Sequence, residues 1–227
     1  MSKTKVNTKS RMDENYEILL NRVEELSTQI IDIYKETLEG LKTLDLEIAL
    51  KILKHDQEID AMQEELVEEA TLMIIRQQPV ASDLRKILMM MRLATEYERI
   101  ADYTKNIAEY IILIKEKESL EHYEKNVDKL VAMIEIVIKM LNLVFQGLKE
   151  EDKTKVKEAA DMDKQIDEIY QDVLASLITH IQVVDGKVFG TAYAILINKY
   201  VERAGDHVTN IAEEILFALK GRRYYLN

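Results

Sequence analysis

The sequence predicts an all-α protein made of two tandem antiparallel three-helix bundles related by internal duplication. Three observations carry that prediction. Six glycines and one proline in 227 residues leave few places for turns, while the helix formers Leu, Ile, Glu, Lys, Met and Ala dominate. Apolar residues recur at helical spacing almost without interruption from Tyr16 to Leu219. Residues 98–109 read ERIADYTKNIAE and residues 202–213 read ERAGDHVTNIAE, identical at seven of twelve positions, and DQEID at 56–60 is echoed by DKQID at 163–167.

Interruptions in the apolar pattern define six helices. The first is predicted over residues 13–43, with Ile18, Val23, Leu26, Ile30, Ile33, Leu38 and Leu41 at three- and four-residue steps. The second begins near Asp45 and ends before Pro79, which lacks a backbone donor and biases its predecessor away from helix. The third opens at Ser82 or Asp83, either able to cap it, and runs to about Lys117. A break at 119–122 starts a fourth helix that fades around Gly147. A fifth spans about 152–182, VVDGK turns the chain, and a sixth closes at Gly221, a residue suited to a helix C-terminus. The organisation is therefore a basic tail (1–12), a first three-helix repeat (13–118) and a second (119–227).

Composition narrows the function. Without cysteine there is no thiolate nucleophile, thiolate metal site or redox switch, so a metal has to be held by oxygen or by the four histidines. A net charge of −11 argues against a general nucleic-acid binder, which needs a basic surface to displace counterions. Residues 1–11, MSKTKVNTKSR, carry Lys3, Lys5, Lys9 and Arg11 and no acid, but lack the apolar run of a signal peptide and read as a frayed tail. No run of about 20 apolar residues is expected to span a membrane, so the reading is cytoplasmic. Met89 to Met91 read as core filler. No glycine-rich phosphate loop, nucleophile elbow or Ser/His/Asp arrangement appears.

The chemistry lies in paired acids. An acid followed four residues later by Asp occurs four times: Asp56 with Asp60, Glu98 with Asp102, Asp163 with Asp167, and Glu202 with Asp206. Acids at this spacing stack on one helix face about 6 Å apart and repel. In an antiparallel hairpin, Asp56 and Asp102 lie equidistant from Pro79, as do Asp60 and Glu98. The second repeat places its acids the same way about the VVDGK turn. Four carboxylates per repeat then converge between helix axes about 8–10 Å apart, an arrangement that favours a hard, oxygen-ligated cation. Asn106 and Asn210 extend the stripes by one turn and are possible additional ligands. His207 points about 100° off the stripe and is at best a neighbour. Ala101 and Gly205, between the paired acids, allow close approach of a helix or an ion. The competing reading is a solvated acidic face, partly neutralised by Arg99 and Arg203.

These motifs, with PVASDLR at 79–85, resemble the signatures of the PhoU family of phosphate-transport accessory proteins, over nearly the full chain. The resemblance implies tandem three-helix bundles in a cytoplasmic protein that often dimerises and has no catalytic activity. It also implies negative regulation of phosphate uptake and of phosphate-starvation signalling, through a phosphate-specific ABC transporter (ATPase subunit) and a sensor histidine kinase. Some members bind iron or other metal clusters at these motifs. Position by position, that makes Asp56, Asp60, Glu98 and Asp102, then Asp163, Asp167, Glu202 and Asp206, the metal-binding acids, with Fe, Mn, Mg or Zn as candidates. The first repeat departs from the family pattern, with Ala101 and Tyr103 where Gly and His are usual, which sets the two sites apart. Asp83 and Arg85 match a DLR element. The alternative is a carboxylate-bridged helical-bundle enzyme or metal-storage protein, for which the sequence supplies no clearly placed general base. A third reading is a plain helical interaction protein.

Overall fold

In the computed structural model, which describes residues 11–116, 121–181, 188–220 and 226, helices α1 (Arg11–Thr43), α2 (Leu46–Gln77) and α3 (Ala81–Glu116) form the first repeat. The second contains α4 (Glu121–Glu124), α5 (Val127–Lys149), α6 (Lys153–Asp161), α7 (Asp163–Ile181) and α8 (Val188–Lys220). Every described element is helical, as the composition predicts. The basic tail before Arg11, the VVDGK turn and the Gly221 cap lie outside the described residues.

Local chemistry sets the ends. Asp45 and Asp152 adopt extended backbone and accept from the amides two and three residues on, capping α2 and α6. Gln78 closes α2 in the left-handed region at φ 48°, its amide bonded to Ile74 O. Two expectations need correction. Ser82 and Asp83 do not cap α3, because Ala81 (φ 45°) already begins it and Asp83 N–H is taken by Val80 O at 3.1 Å. The fifth helix is two helices, because the ladder tightens at Met162, whose N–H reaches Ala159 O and whose O accepts from Gln165 N–H. Asp163 follows that break directly.

One continuous core runs through both repeats, from Leu19, Leu26 and Tyr34 in α1 to Val208, Ile211 and Ile215 in α8. The most extensive helix pairing in the molecule is α3 against α8, so the duplicated motif helices face each other across the seam. Among the described residues, α5 is the one helix long and apolar enough to cross a membrane by length and composition alone. Yet Glu135 and Lys139 interrupt it, and Leu130, Ile134, Val137, Leu141 and Val144 are buried in the bundle.

Candidate functional site

The hairpins α2–α3 and α7–α8 bring each repeat's acids within electrostatic reach. In the first repeat, burial and then the charges of Asp102, Asp60 and Asp56 push Glu98 above the usual carboxylate range, against a smaller opposing pull from Arg99. Burial, Asp56 and Asp60 raise Asp102 likewise. Asp60 sits on the exposed edge of this group, whereas the Asp56 side chain is nearly covered. Lys105 donates to Asp56 Oδ2 at 2.5 Å and pulls Asp102 back down, and Asp56 in turn raises Lys105.

The second repeat places the same four acids differently. Asp163 is 5% exposed, and burial followed by Asp206, Asp167 and Glu202 lifts its carboxyl to about 7. The neighbouring Thr209 hydroxyl opposes this only in part. Asp206 is raised by burial, Glu202 and Asp167. Lys199 donates to both oxygens of Glu202, at 2.7 and 2.6 Å, and moderates Asp206. Asp167 is exposed. Gly205 is the reason Asp163 fits: a Cβ there would collide with Asp163 Oδ1 and come within 2.8 Å of Ile166 Cδ1.

The eight acids therefore gather in two groups, one per repeat. As their side chains lie, no three Asp, Glu or His among the described residues are aimed to hold one ion together. Asn106 Nδ2 donates to Asp102 O, and Asn210 Nδ2 donates to Glu96 Oε2 at 3.1 Å on the inter-repeat seam. The expected neutralisers bond elsewhere: Arg99 pairs with Glu96 at 3.3 Å and acts on Glu98 only through space, and Arg203 lies over the Tyr103 ring. Sequence reasoning missed Lys105 and Lys199, which bond the acids directly. A lysine three residues from an acid on the same helix was the available signal.

The seam itself was not anticipated. His207 Nδ1 lies 2.7 Å from Glu96 Oε2, and the Tyr103 hydroxyl lies 2.9 Å from His207 Nε2. Nδ1–H donating to the carboxylate and Nε2 accepting from the phenol fits both distances. Burial alone raises Glu96, but His207, Asn210 and Arg99 outweigh it and hold Glu96 below the usual range. By the repeat spacing, Tyr103 corresponds to His207 and Glu96 to Tyr200. The partner of the Glu96–His207 contact is thus the Tyr103–Tyr200 stack, with ring centroids 5.6 Å apart. Tyr110 extends the stack to Tyr193 and Tyr200. Arg92 closes the seam with a two-oxygen grip on Glu214, at 2.7 and 2.8 Å.

The PhoU domain model matches the chain twice, at residues 23–111 and 130–215, so that each match contains one set of acids and one motif helix of the seam. The chain belongs to the PhoU family. It is 33% identical to a phosphate-specific transport system accessory protein PhoU homolog of Zymomonas mobilis, over 82% of this chain and 77% of that one. It is 29% identical to the homolog named in the same words from Clostridium acetobutylicum, over 96% of both chains. Crystal structures of PhoU from Pseudomonas aeruginosa (TM-score 0.85, 24% identity, 93% of this chain and all of that one) and of the phosphate transport system regulatory protein PhoU from Streptococcus pneumoniae (TM-score 0.86, 21% identity, 95% and 100%) share its fold.

Proposed function

We propose that this chain is the accessory protein of a phosphate-specific transport system. The observation that carries this reading is the double PhoU match across both repeats, together with curated relatives that bear that name along most of their length. On this reading it is a regulator rather than an enzyme. It restrains phosphate uptake and phosphate-starvation signalling from the cytoplasm, as a homodimer, by contacts with the transporter's ATPase subunit and with a sensor histidine kinase.

The acids have a part in the proposal. Asp56, Asp60, Glu98 and Asp102 hold one cation centre, and Asp163, Asp167, Glu202 and Asp206 hold the other, with Fe, Mn, Mg or Zn as the ion. Support comes from the all-oxygen donor set and from Asp163, a buried carboxyl with no ammonium or guanidinium bonded to it among the described residues. A bound cation adds positive charge beyond the single lysine bonded within each cluster. Ligation requires the carboxylates to turn toward a common point and, in both repeats, competes with a lysine.

The test is phosphate accumulation in phosphate-rich medium, comparing the host with a strain lacking this gene. Uptake rises in the deletion and returns to normal with a plasmid copy if the reading holds. Unchanged uptake and unchanged starvation-gene expression contradict it. Asp102→Asn with Asp206→Asn then tests the cation, and loss of metal-dependent thermal stabilisation is the expected result.

A further inference from the structure

Beyond the acid clusters, the seam between α3 and α8 carries an aromatic ladder. Two stripes at intervals of seven residues, close to two helical turns, build it: Glu96, Tyr103 and Tyr110 on α3, and Tyr193, Tyr200 and His207 on α8. The helices run antiparallel, so the stripes interleave in the order Glu96, His207, Tyr103, Tyr200, Tyr110, Tyr193, each residue coming from the helix opposite the one before. Along the tyrosines the ring centroids are 5.6, 6.0 and 5.5 Å apart, at interplanar angles of 30°, 19° and 24°. These are the separations of aromatic rings in contact.

Composition gives the ladder a chemical meaning. The chain has eleven tyrosines, no tryptophan and no cysteine. Cys, Trp and Tyr are the side chains that give up a single electron most readily, so here a one-electron oxidant has tyrosine as its target. Outside the ladder, the described tyrosines are poorer targets. Tyr34 and Tyr97 are fully buried and Tyr123 is 2% exposed. Tyr16 and Tyr170 are half-buried, but the Lys86 and Lys199 ammonium groups lie 4.8 and 5.3 Å from their ring centres, and a cation over the ring opposes loss of an electron. Within the ladder, Arg203 acts on Tyr103 in the same way, from 5.7 Å. Tyr110 and Tyr193 are half-buried and form the closest-spaced pair. They sit near the C-terminal end of α3 and the N-terminal end of α8, where helices give most easily. An electron vacancy formed on another rung reaches them by steps between touching rings.

We propose that Tyr110 and Tyr193 are a site of oxidative cross-linking, which a one-electron oxidant of the carbonate-radical or nitrogen-dioxide class converts to a dityrosine joining the two repeats. Each ring gives one electron to one equivalent of oxidant, which becomes carbonate or nitrite, and its hydroxyl proton to water. The two phenoxyl radicals then join through one Cε carbon of each ring, and the hydrogens on those carbons move to the oxygens, restoring both phenols. The product is a covalent bridge across the α3–α8 seam, two hydrogens lighter than the starting chain.

The full chain in metal-free buffer is illuminated with tris(bipyridyl)ruthenium(II) and persulfate, which generates a one-electron oxidant by light, and is then digested with trypsin. Cleavage after Lys and Arg puts Tyr103, Tyr110, Tyr193 and Tyr200 on separate peptides, residues 100–105, 106–115, 188–199 and 200–203. The expected product is peptide 106–115 joined to peptide 188–199 with the loss of two hydrogens, in chains that stay monomeric on denaturing gels. Tyr110→Phe and Tyr193→Phe keep the ring stack and are expected to lose that product and most of the dityrosine fluorescence, while thermal melts confirm their fold. Tyr16→Phe and Tyr170→Phe leave both readouts unchanged. In strong denaturant the cross-links scatter, because the ladder is gone. The proposal is overturned if the native chain forms no dityrosine where free tyrosine couples under the same light, if bridges form mainly between chains, or if other tyrosine peptides are joined as often as this pair. Neither a bound metal nor phosphate enters the experiment, so its outcome is independent of the uptake test.

Discussion

In the first repeat, Lys105 reaches across the hairpin to Asp56. In the second, the corresponding residue is Thr209, which is buried and carries no charge, and the corresponding acid is Asp163, lifted to about 7. The second repeat places its lysine elsewhere, at Lys199 on Glu202. The two clusters keep the same acids and differ in where a cation touches them. An internal counterion makes the first cluster more nearly self-sufficient. The second leaves its most buried acid to be neutralised by a proton or by an added ion. Ala101 and Gly205 reinforce the difference: only the second repeat lacks a side chain at the point where its buried acid lies against the motif helix.

The comparison breaks most readily at the glycine. Gly205→Ala is expected to cost about 2–3 kcal/mol, because the new methyl overlaps Asp163 and Ile166 and both must move. The counterpart change, Ala101→Gly, costs about 1 kcal/mol, the helix-propensity difference alone. Chemical denaturation of both variants measures the contrast, and equal costs would remove the packing difference between the repeats.

A smaller effect comes from Asp163→Asn in metal-free buffer. The folded carboxyl sits at about 7 against 3.8 for an ordinary Asp, so between these values the folded chain holds a proton that the unfolded chain has released. The wild type therefore loses stability as pH climbs from about 4 through 7, and the penalty is complete above that window. The amide variant escapes it. Its advantage is expected to be absent at pH 4 and to reach on the order of 1–2 kcal/mol at pH 8, allowing for solvent screening on the open side. Thermal melts across that range check the sign. An advantage that grows as pH falls would contradict the account.

Lys105→Thr makes the first repeat resemble the second. Because Lys105 is well exposed, lost stability is expected to stay below about 1 kcal/mol. With its internal counterion gone, the first cluster is expected to gain thermal stabilisation from added Mn²⁺ or Mg²⁺. The smallest change is Tyr103→Phe, which removes the hydroxyl at His207 Nε2 and keeps the stack on Tyr200. A loss of about 0.5–1 kcal/mol is expected, with coupling to His207→Gln in a double-mutant cycle.

Much of this architecture could be read from the residues. Helical periodicity located all the long helices, because each buries a continuous apolar stripe. Internal repetition paired the acids, because equal distance from a turn fixes the level at which antiparallel residues meet. The break at Met162 was not legible, since Val156, Ala159 and Ile166 continue the apolar pattern across it. The counterions were legible only in part, as lysines three residues from an acid on the same helix. Lysines on an acidic helix look alike until the neighbouring helix is in place, and Arg99 and Arg203, which flank the acids in sequence, go to Glu96 and Tyr103 instead. Yet the Lys105 to Thr209 exchange was already present in the alignment of the two motifs. The seam contact of His207 with Glu96 joins residues 111 apart and needed the packing of α3 on α8.

The most direct test is the titration of the Asp163 side-chain carboxyl carbon by NMR in metal-free protein, repeated with saturating Mg²⁺ or Mn²⁺-free Zn²⁺. The expected midpoint is near 7 without metal, shifted downward by at least one unit when a cation is present. A midpoint in the ordinary carboxylate range without metal would show that the second cluster is already neutralised from within, and the distinction drawn between the two repeats would be wrong.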